Sequence, residues 1–247
     1  GGLDQLDKKV RSMDIVPAHP LSSFILIGGS LVVPLLAFGT YWGSGAPLRK
    51  ALQIALGVAV WGVAVLLFAR FGQFEVSSPT VVWVLVLANF AAPSIIVLIF
   101  RDYFVGNGLS LAWLTLPQAF RYMGVLFILE NVLGHTGTVF AYTAGFGDFA
   151  AAIIATLILL QMWAGERPGK FAFYALVIFG TADFLVAYTL SFMSTEGTVL
   201  NLLARDETHL MSLLPLALLP YFLVPFAMAY HTMMFLTLRR QAAASTG

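Results

Sequence analysis

Long apolar runs separated by short polar breaks dominate the pattern of hydrophobic and polar positions along the chain. A helix needs about 20 mostly apolar residues to cross the hydrocarbon core of a bilayer, with a tolerance of a few residues. The runs lack the regular polar alternation of barrel strands, which favours helices. The pattern therefore predicts seven spanning helices, over residues 21–42, 51–68, 80–100, 114–133, 138–160, 171–192 and 210–238.

This pattern predicts an all-α fold, a bundle of seven transmembrane helices with short interfacial helices at its outer surface. The last run is longer than a perpendicular crossing needs, so we expect it to tilt or protrude. A tail over 1–20 precedes the transmembrane domain of 21–240, and a second tail over 241–247 follows it. In the first tail, apolar residues recur at helical spacing between charges, which indicates a surface helix or, alternatively, a frayed polar tail. These residues are Leu3, Leu6, Val10 and Met13, and 199–203 is a second candidate surface helix.

The distribution of charge predicts the orientation in the membrane. With seven spans, one side carries seven basic and two acidic residues, and the other carries five basic and seven acidic. Cytoplasmic loops are enriched in Lys and Arg. We therefore expect a protein of the cytoplasmic (inner) membrane with its N-terminus outside and its C-terminus in the cytoplasm.

Composition narrows the function classes. The chain is 60% hydrophobic and 10% charged, against about 45–50% and 25% in soluble domains, which excludes a water-soluble globule. It has no cysteine and a net charge of +1, so disulfides, thiolate metal sites and a nucleic-acid footprint are excluded. No enzyme motif is present. Membrane lipids and other membrane subunits are the expected partners, and the sequence identifies no cofactor.

Among the ionisable residues inside the predicted spans, three stand out: Arg121, Asp148 and Asp183. Such groups are costly in a bilayer and usually face the bundle interior or a cavity. Arg121 is expected a turn or two inside the cytoplasmic end of its span. Its side chain can reach inward to neutralise one or both aspartates, or extend outward to the interface.

Both aspartates occur in the same local pattern, Gly-x-x-Asp-Phe-x-x-Ala, beginning at Gly145 and at Gly180. The glycine lies on the same helix face as the aspartate, and small residues there allow close approach of another helix. The arrangement fits either a proton or ion relay or a structural clamp between helices, since a buried Arg–Asp pair serves packing as readily as transport.

The last span contains Pro215, Pro220 and Pro225, followed by His231. Each proline frees the carbonyl four residues earlier, those of Met211, Leu216 and Tyr221. Free carbonyls can form a cation site or a hinge, whereas a bent helix that fits its neighbours is the simpler interpretation. His231, expected near the cytoplasmic end, is a candidate proton acceptor or ligand, or a hydrogen-bonded interfacial residue.

Four residues at the outer surface are of types that bind zinc or copper. Two come from the turn between the fourth and fifth predicted spans, and two come from the residues just before the seventh. Solvated surface charge is the alternative interpretation. The four residues are Glu130, His135, Glu207 and His209.

Several segments in the second half of the chain resemble a known family. They are 118–121, Gly124, Phe127, 140–141, 144–148, Asp183, 219–225 and His231. Together they resemble an uncharacterised family of bacterial multi-pass integral membrane proteins of about seven helices. The resemblance covers 118 to 240, implies a small membrane protein of that kind, and brings no catalytic or binding role with it.

Two function classes follow. The first is a non-catalytic accessory or structural subunit of a larger membrane assembly, of respiratory or photosynthetic type. The alternative is a small transporter, channel or sensor that couples to protons or ions through Arg121, Asp148 and Asp183. The observation that separates them is whether a water-filled cavity reaches the aspartates. A dry, fully paired triad would favour the subunit, and a lined path from the aspartates to either surface would favour transport.

Overall fold

The computed structural model describes residues 18–71, 79–106, 108–194, 202–203 and 213–244. Within these ranges the chain is helical apart from turns and short connections, and it contains no strand there. The all-helical class is confirmed for this part of the chain. The predicted surface helix of the N-terminal tail lies outside the described residues, as do 199–201 of the second candidate.

Nine α-helices are described, and two irregular helical segments interrupt or precede them. The helices are α1 (Pro20–Gly43), α2 (Leu48–Arg70), α3 (Pro79–Ile99), α4 (Arg101–Phe104), α5 (Leu111–Ala119), α6 (Val125–Val132), α7 (Thr138–Trp163), α8 (Lys170–Ser194) and α9 (Val224–Ala244). A 3₁₀ segment, Phe120–Gly124, joins α5 to α6, and a π-helical segment, Leu219–Leu223, leads into α9.

Six helices in the described part are long and apolar enough to cross a membrane. They are α1, α2, Leu111–Val132, α7, α8 and Leu219–Ala244. The run predicted over 80–100 corresponds to α3, of which the apolar stretch with described side chains is the shorter Trp83–Ile99. This set of helices is compatible with a multi-pass membrane protein.

The last predicted span differs from the observed one. The run over 210–238 is not one continuous helix, because residues 214–217 form turns and regular helix begins only near Leu219. Pro215 lies in the turns, Pro220 in the π segment and Pro225 in the first turn of α9. Prolines spaced five residues apart remove backbone donors from the first turns of the segment, so an α-helix is favoured only after them.

The bundle is built around this last helix. The π segment and α9 pack against α1, α2, α3, α5 and α8, while α7 packs on the other side of α5, α6 and α8. α2 lies at the edge, with only Ala51, Val65 and Ala69 buried. The centre of the fold is therefore the region where α5, α7, α8 and α9 meet.

Candidate functional site

Arg121 lies in the 3₁₀ segment, at the middle of the Leu111–Val132 helix, ten residues after its start. Its side chain is 4% exposed and points into the bundle. The interpretation in which Arg121 extends outward to the interface is therefore wrong. Its position is also deeper than expected, because the helix begins at Leu111 rather than at 114.

The guanidinium of Arg121 is shared by both aspartates. Nε donates to Oδ1 of Asp148 at 2.7 Å, and Nη2 donates to Oδ2 of Asp183. The side chains of Asp148 and Asp183 are 10% and 7% exposed. The face of the guanidinium lies on the ring of Phe184, with Cζ 3.9 Å from the ring centroid. The structure thus brings together three groups whose pairing the sequence left open.

His231 joins the same group. Its Nε2 lies 3.4 Å from Nη1 of Arg121, and the residue is 1% exposed. Arginine can only donate, so Nε2 must accept and the ring proton belongs on Nδ1, which makes the imidazole neutral. His231 lies twelve residues after Leu219 and nine before Arg240, so its expected position near the helix end is wrong. We call Arg121, Asp148, Asp183 and His231 the Arg121 cluster.

Glycines provide the space for this cluster. A Cβ atom at Gly145 would lie 2.9 Å from the carbonyl oxygen of Gly124, which marks a close crossing of α7 and the 3₁₀ segment. A Cβ atom at Gly180 would instead collide with the side chains of His231 and Arg121. The two glycines of the repeated pattern therefore have different roles. Gly145 leaves space for the backbone of the neighbouring 3₁₀ segment, whereas Gly180 leaves space for the side chains of the cluster itself.

Four residues that shape the site were not predicted as site residues, although 118–121, Gly124 and 144–148 carry the family resemblance. Gly124 and Gly147 lie against Asp148 and Asp183, respectively, where a Cβ atom would clash. Phe184 covers the guanidinium, and Gln118, fully buried, donates from Nε2 to the carbonyl of Ala227 at 3.1 Å. Phe184 could have been found, since it follows Asp183 in the repeated pattern, and Gln118 lies one turn before Arg121.

A narrow cavity of about 40 Å³ ends on the cluster. It lies between α1, the 3₁₀ segment and the π segment, and only Arg121 and Asp148 among its lining residues carry a charge. Apolar residues such as Val33, Leu36 and Leu223 form the rest of its wall. A cavity of this volume has room for about three water molecules, beside polar groups that can hold them.

The carbonyls that the prolines free in the last span are occupied where they are described. Leu216 O accepts from the Leu219 N–H at 3.0 Å, and Tyr221 O accepts from Asn89 Nδ2 at 2.7 Å. Met211 lies outside the described residues. These hydrogen bonds favour the interpretation of a bent helix that fits its neighbours over that of a cation site at Leu216 and Tyr221.

Of the residues expected to bind a metal, the structure brings two together. Glu130, fully buried, accepts from His135 Nδ1 at 2.7 Å and from the backbone N–H of His19 at 3.1 Å. Glu207 and His209 lie outside the described residues, so the four-residue site stays a prediction. Within the described ranges, no group of three or more metal-ligating side chains is found. Glu130 instead ties the end of α6 to the start of α1.

The fold and the Arg121 cluster define a class: all-helical proteins whose apolar helices suit a membrane and whose buried charges meet at the bundle centre. Residues 79–239 match the family described as Domain of unknown function (DUF8737), and the chain belongs to this family. The match runs from α3 into α9 and contains the whole cluster. Comparison with curated proteins and with solved structures finds no match.

Proposed function

We propose that this protein is a small transporter, channel or sensor that uses the Arg121 cluster for proton or ion coupling. The observation that carries the proposal is one guanidinium shared by two carboxylates, with a cavity ending on Arg121 and Asp148. A cavity that reaches Asp148 supports this role over that of a dry structural clamp.

The charge of the cluster supports the same proposal. With His231 neutral, one guanidinium and two ionised carboxylates sum to −1. A structural clamp needs only one carboxylate per arginine, and an unbalanced buried charge is costly in a low-dielectric interior. The second carboxylate gives the cluster the capacity to bind one additional positive charge and to release it.

The test is charge movement in reconstituted vesicles. Proteoliposomes adsorbed on a solid-supported membrane are subjected to jumps in pH or in cation concentration, and the capacitive current is recorded. We expect a current from the wild-type protein that is lost in Asp148→Asn and reduced in Asp183→Asn. Glu166→Gln, which removes an exposed carboxylate in the α7–α8 connection, should leave it unchanged. Equal currents in all four proteins, or none in any, would contradict the proposal.

We also propose that α3 is a seventh crossing and that the protein lies in the cytoplasmic membrane of a bacterium. The 21 residues of α3 extend about 31 Å at 1.5 Å per residue, close to the thickness of the hydrocarbon core. With seven crossings, the end of the bundle bearing Arg240 faces the cytoplasm and the N-terminus lies outside. Reporter fusions at the two termini test this, and a C-terminal reporter active only outside the cell would refute it.

A second candidate, a non-catalytic accessory subunit, is favoured by α2. Only three of its 23 residues are buried and 13 are exposed, so the face that does not pack on α1 is available to lipid or to another membrane protein. Photo-crosslinkers placed at Leu56 and Val60 in native membranes, both exposed, would label a defined protein partner if this role applies. Labelling of lipid alone would argue against it.

A further inference from the structure

We infer that the coupled ion is a proton rather than a metal cation, and that it is exchanged at Asp148 through the cavity. This inference rests on the proposed function and names its ion. Three features carry it: the oxygen atoms within reach, the occupied backbone carbonyls, and the position of the cavity relative to the two aspartates.

The cavity lacks the ligands that a metal cation requires. Hard cations such as Mg²⁺ and Ca²⁺ take six or more oxygen ligands. Among the residues that line this cavity, Asp148 supplies the only carboxylate. The remaining wall is glycine, proline and apolar side chains. A proton needs a single acceptor oxygen, so the same site suits a proton.

Hydrogen bonds within the protein involve carbonyls of the irregular backbone and of α9 near the cavity. Cation sites in transporters commonly use carbonyls from unwound helix segments, and both the 3₁₀ and π segments border this cavity. Pro220 O accepts from the Tyr188 hydroxyl at 2.5 Å, and Ala227 O accepts from Gln118. Tyr221 O accepts from Asn89. Of these three residues Ala227 lines the cavity, and each of the three carbonyls already accepts a hydrogen bond from the protein.

Asp148 is the aspartate that meets the cavity, and Asp183 does not line it. Oδ1 of Asp148 accepts from Arg121, whereas its Oδ2 accepts no hydrogen bond from the described residues. The charged or titratable groups that face Asp148 are Arg121 from the 3₁₀ segment, Asp183 from α8 and His231 from α9. α1 contributes only uncharged residues such as Gly29 and Val33 to the cavity wall.

The exchange step is a simple transfer. A hydronium ion in the cavity gives its proton to Oδ2 of Asp148, so an O–H bond forms there and a water molecule remains. The reverse step returns the proton to water. Protonation of Asp148 makes the cluster neutral, because Arg121 is then positive and Asp183 negative. Deprotonation of Asp148 restores a net charge of −1.

Infrared difference spectroscopy of the purified full chain in lipid nanodiscs tests the inference. A pH jump should produce a carboxylic-acid C=O band in the wild-type protein and in Glu166→Gln. The band should be lost in Asp148→Asn and retained, shifted, in Asp183→Asn. At constant pH, replacing choline by Na⁺ or K⁺ should give no difference spectrum.

A measurement on the wild-type protein alone keeps the inference testable if Asp148→Asn does not fold. With a pH-indicator dye in weak buffer, Na⁺ or K⁺ added at constant pH should release no proton. Proton release on addition of a cation would show that the cation competes for the carboxylate and would overturn the choice of ion. A band lost only in Asp183→Asn would overturn the choice of aspartate. Either result leaves the proposed function intact. No spectral change with pH or cations would refute the inference and the proposed function together.

Discussion

The two N-terminal helices and the helix at the centre of the bundle are both apolar, yet they occupy very different environments. In their most apolar stretches, 11% of α2 and 72% of Leu219–Ala244 is buried within the protein. Mean hydropathy is higher in α2 than in the central helix, the reverse of what burial in a soluble protein would suggest. In lipid, apolar surface gives no preference for protein over membrane, so small residues and polar contacts decide which helix is central.

The central helix and α2 also differ in the polar contacts that they make with other helices. The central helix brings His231 to Arg121, Tyr230 to Thr40 and Tyr221 to Asn89. α2 contributes a Trp61 indole N–H to Asn89 at 3.3 Å, and its Gly62 makes room for the ring of Phe222. The family match also begins at α3. α2 is therefore a peripheral helix attached to the core in which the cluster lies, whereas α1 also contributes to the cavity wall.

The largest effect should come from the core. Arg121→Leu leaves two buried carboxylates without their cation, and we expect a loss of about 3–5 kcal/mol. Adding Asp148→Asn or Asp183→Asn alone should recover part of it, and the triple variant should recover most. The loss should shrink as the pH falls, because a protonated carboxyl group needs no cation. Thermal unfolding in detergent measures each variant.

A matched change on the surface is the control. Arg49→Leu removes an exposed arginine at the start of α2, and we expect a change within about 0.5 kcal/mol. A triple variant no more stable than Arg121→Leu alone would show that charge pairing is not what stabilises the core.

A Gly→Ala substitution adds one methyl group, and it can be made both in the core and in α2. Gly180→Ala forces a Cβ against His231 and Arg121, which should cost about 1–3 kcal/mol as overpacking and weaken the currents from reconstituted vesicles. Gly57→Ala in α2 places a Cβ where nothing lies within 4 Å, and it should be neutral or stabilise by up to about 1 kcal/mol. Similar losses at both positions would abolish the distinction between core and peripheral helix.

The attachment of α2 depends on Asn89. Asn89→Leu removes the hydrogen bonds that Asn89 makes with Tyr221 O and with the Trp61 indole N–H, each of which is expected to contribute about 0.5–1.5 kcal/mol. Trp61→Phe keeps an aromatic ring near Phe222 but loses the bond to Asn89, so we expect a smaller loss. Chemical denaturation of both variants measures the difference. A larger loss in Trp61→Phe would show that the ring contact, rather than Asn89, holds α2.

The smallest effect should come from one hydroxyl group between α1 and α9. Tyr230→Phe removes the 2.9 Å hydrogen bond with Thr40, and interhelical hydrogen bonds in membranes contribute about 0.6 kcal/mol on average. Thr40 keeps its bond to the Leu36 carbonyl, which limits the loss. Tyr142→Phe, at a partly exposed position on α7, is the control. Equal melting temperatures for wild type and Tyr230→Phe would show that packing alone holds α1 there.

Much of the fold follows from local pattern. The predicted runs over 21–42, 51–68, 138–160 and 171–192 match α1, α2, α7 and α8 to within a few residues, because an apolar run of that length is favourable only as a helix in lipid. The start of the last helix was wrong, since the prolines within the run displaced it. The hydropathy of a run does not show that proline lacks a backbone N–H donor.

The sequence by itself determined that Arg121, Asp148 and Asp183 would be costly residues inside apolar helices, and that Gly145 and Gly180 would lie on the faces of their aspartates. Only the tertiary structure decided that one guanidinium serves both aspartates, that His231 joins them, and that Gly180 makes room for side chains rather than a helix. Arg121 and His231 are 110 residues apart along the chain. Their contact depends on the depth and rotation of whole helices. Packing contacts between distant parts of the chain determine both, and no local sequence pattern encodes them.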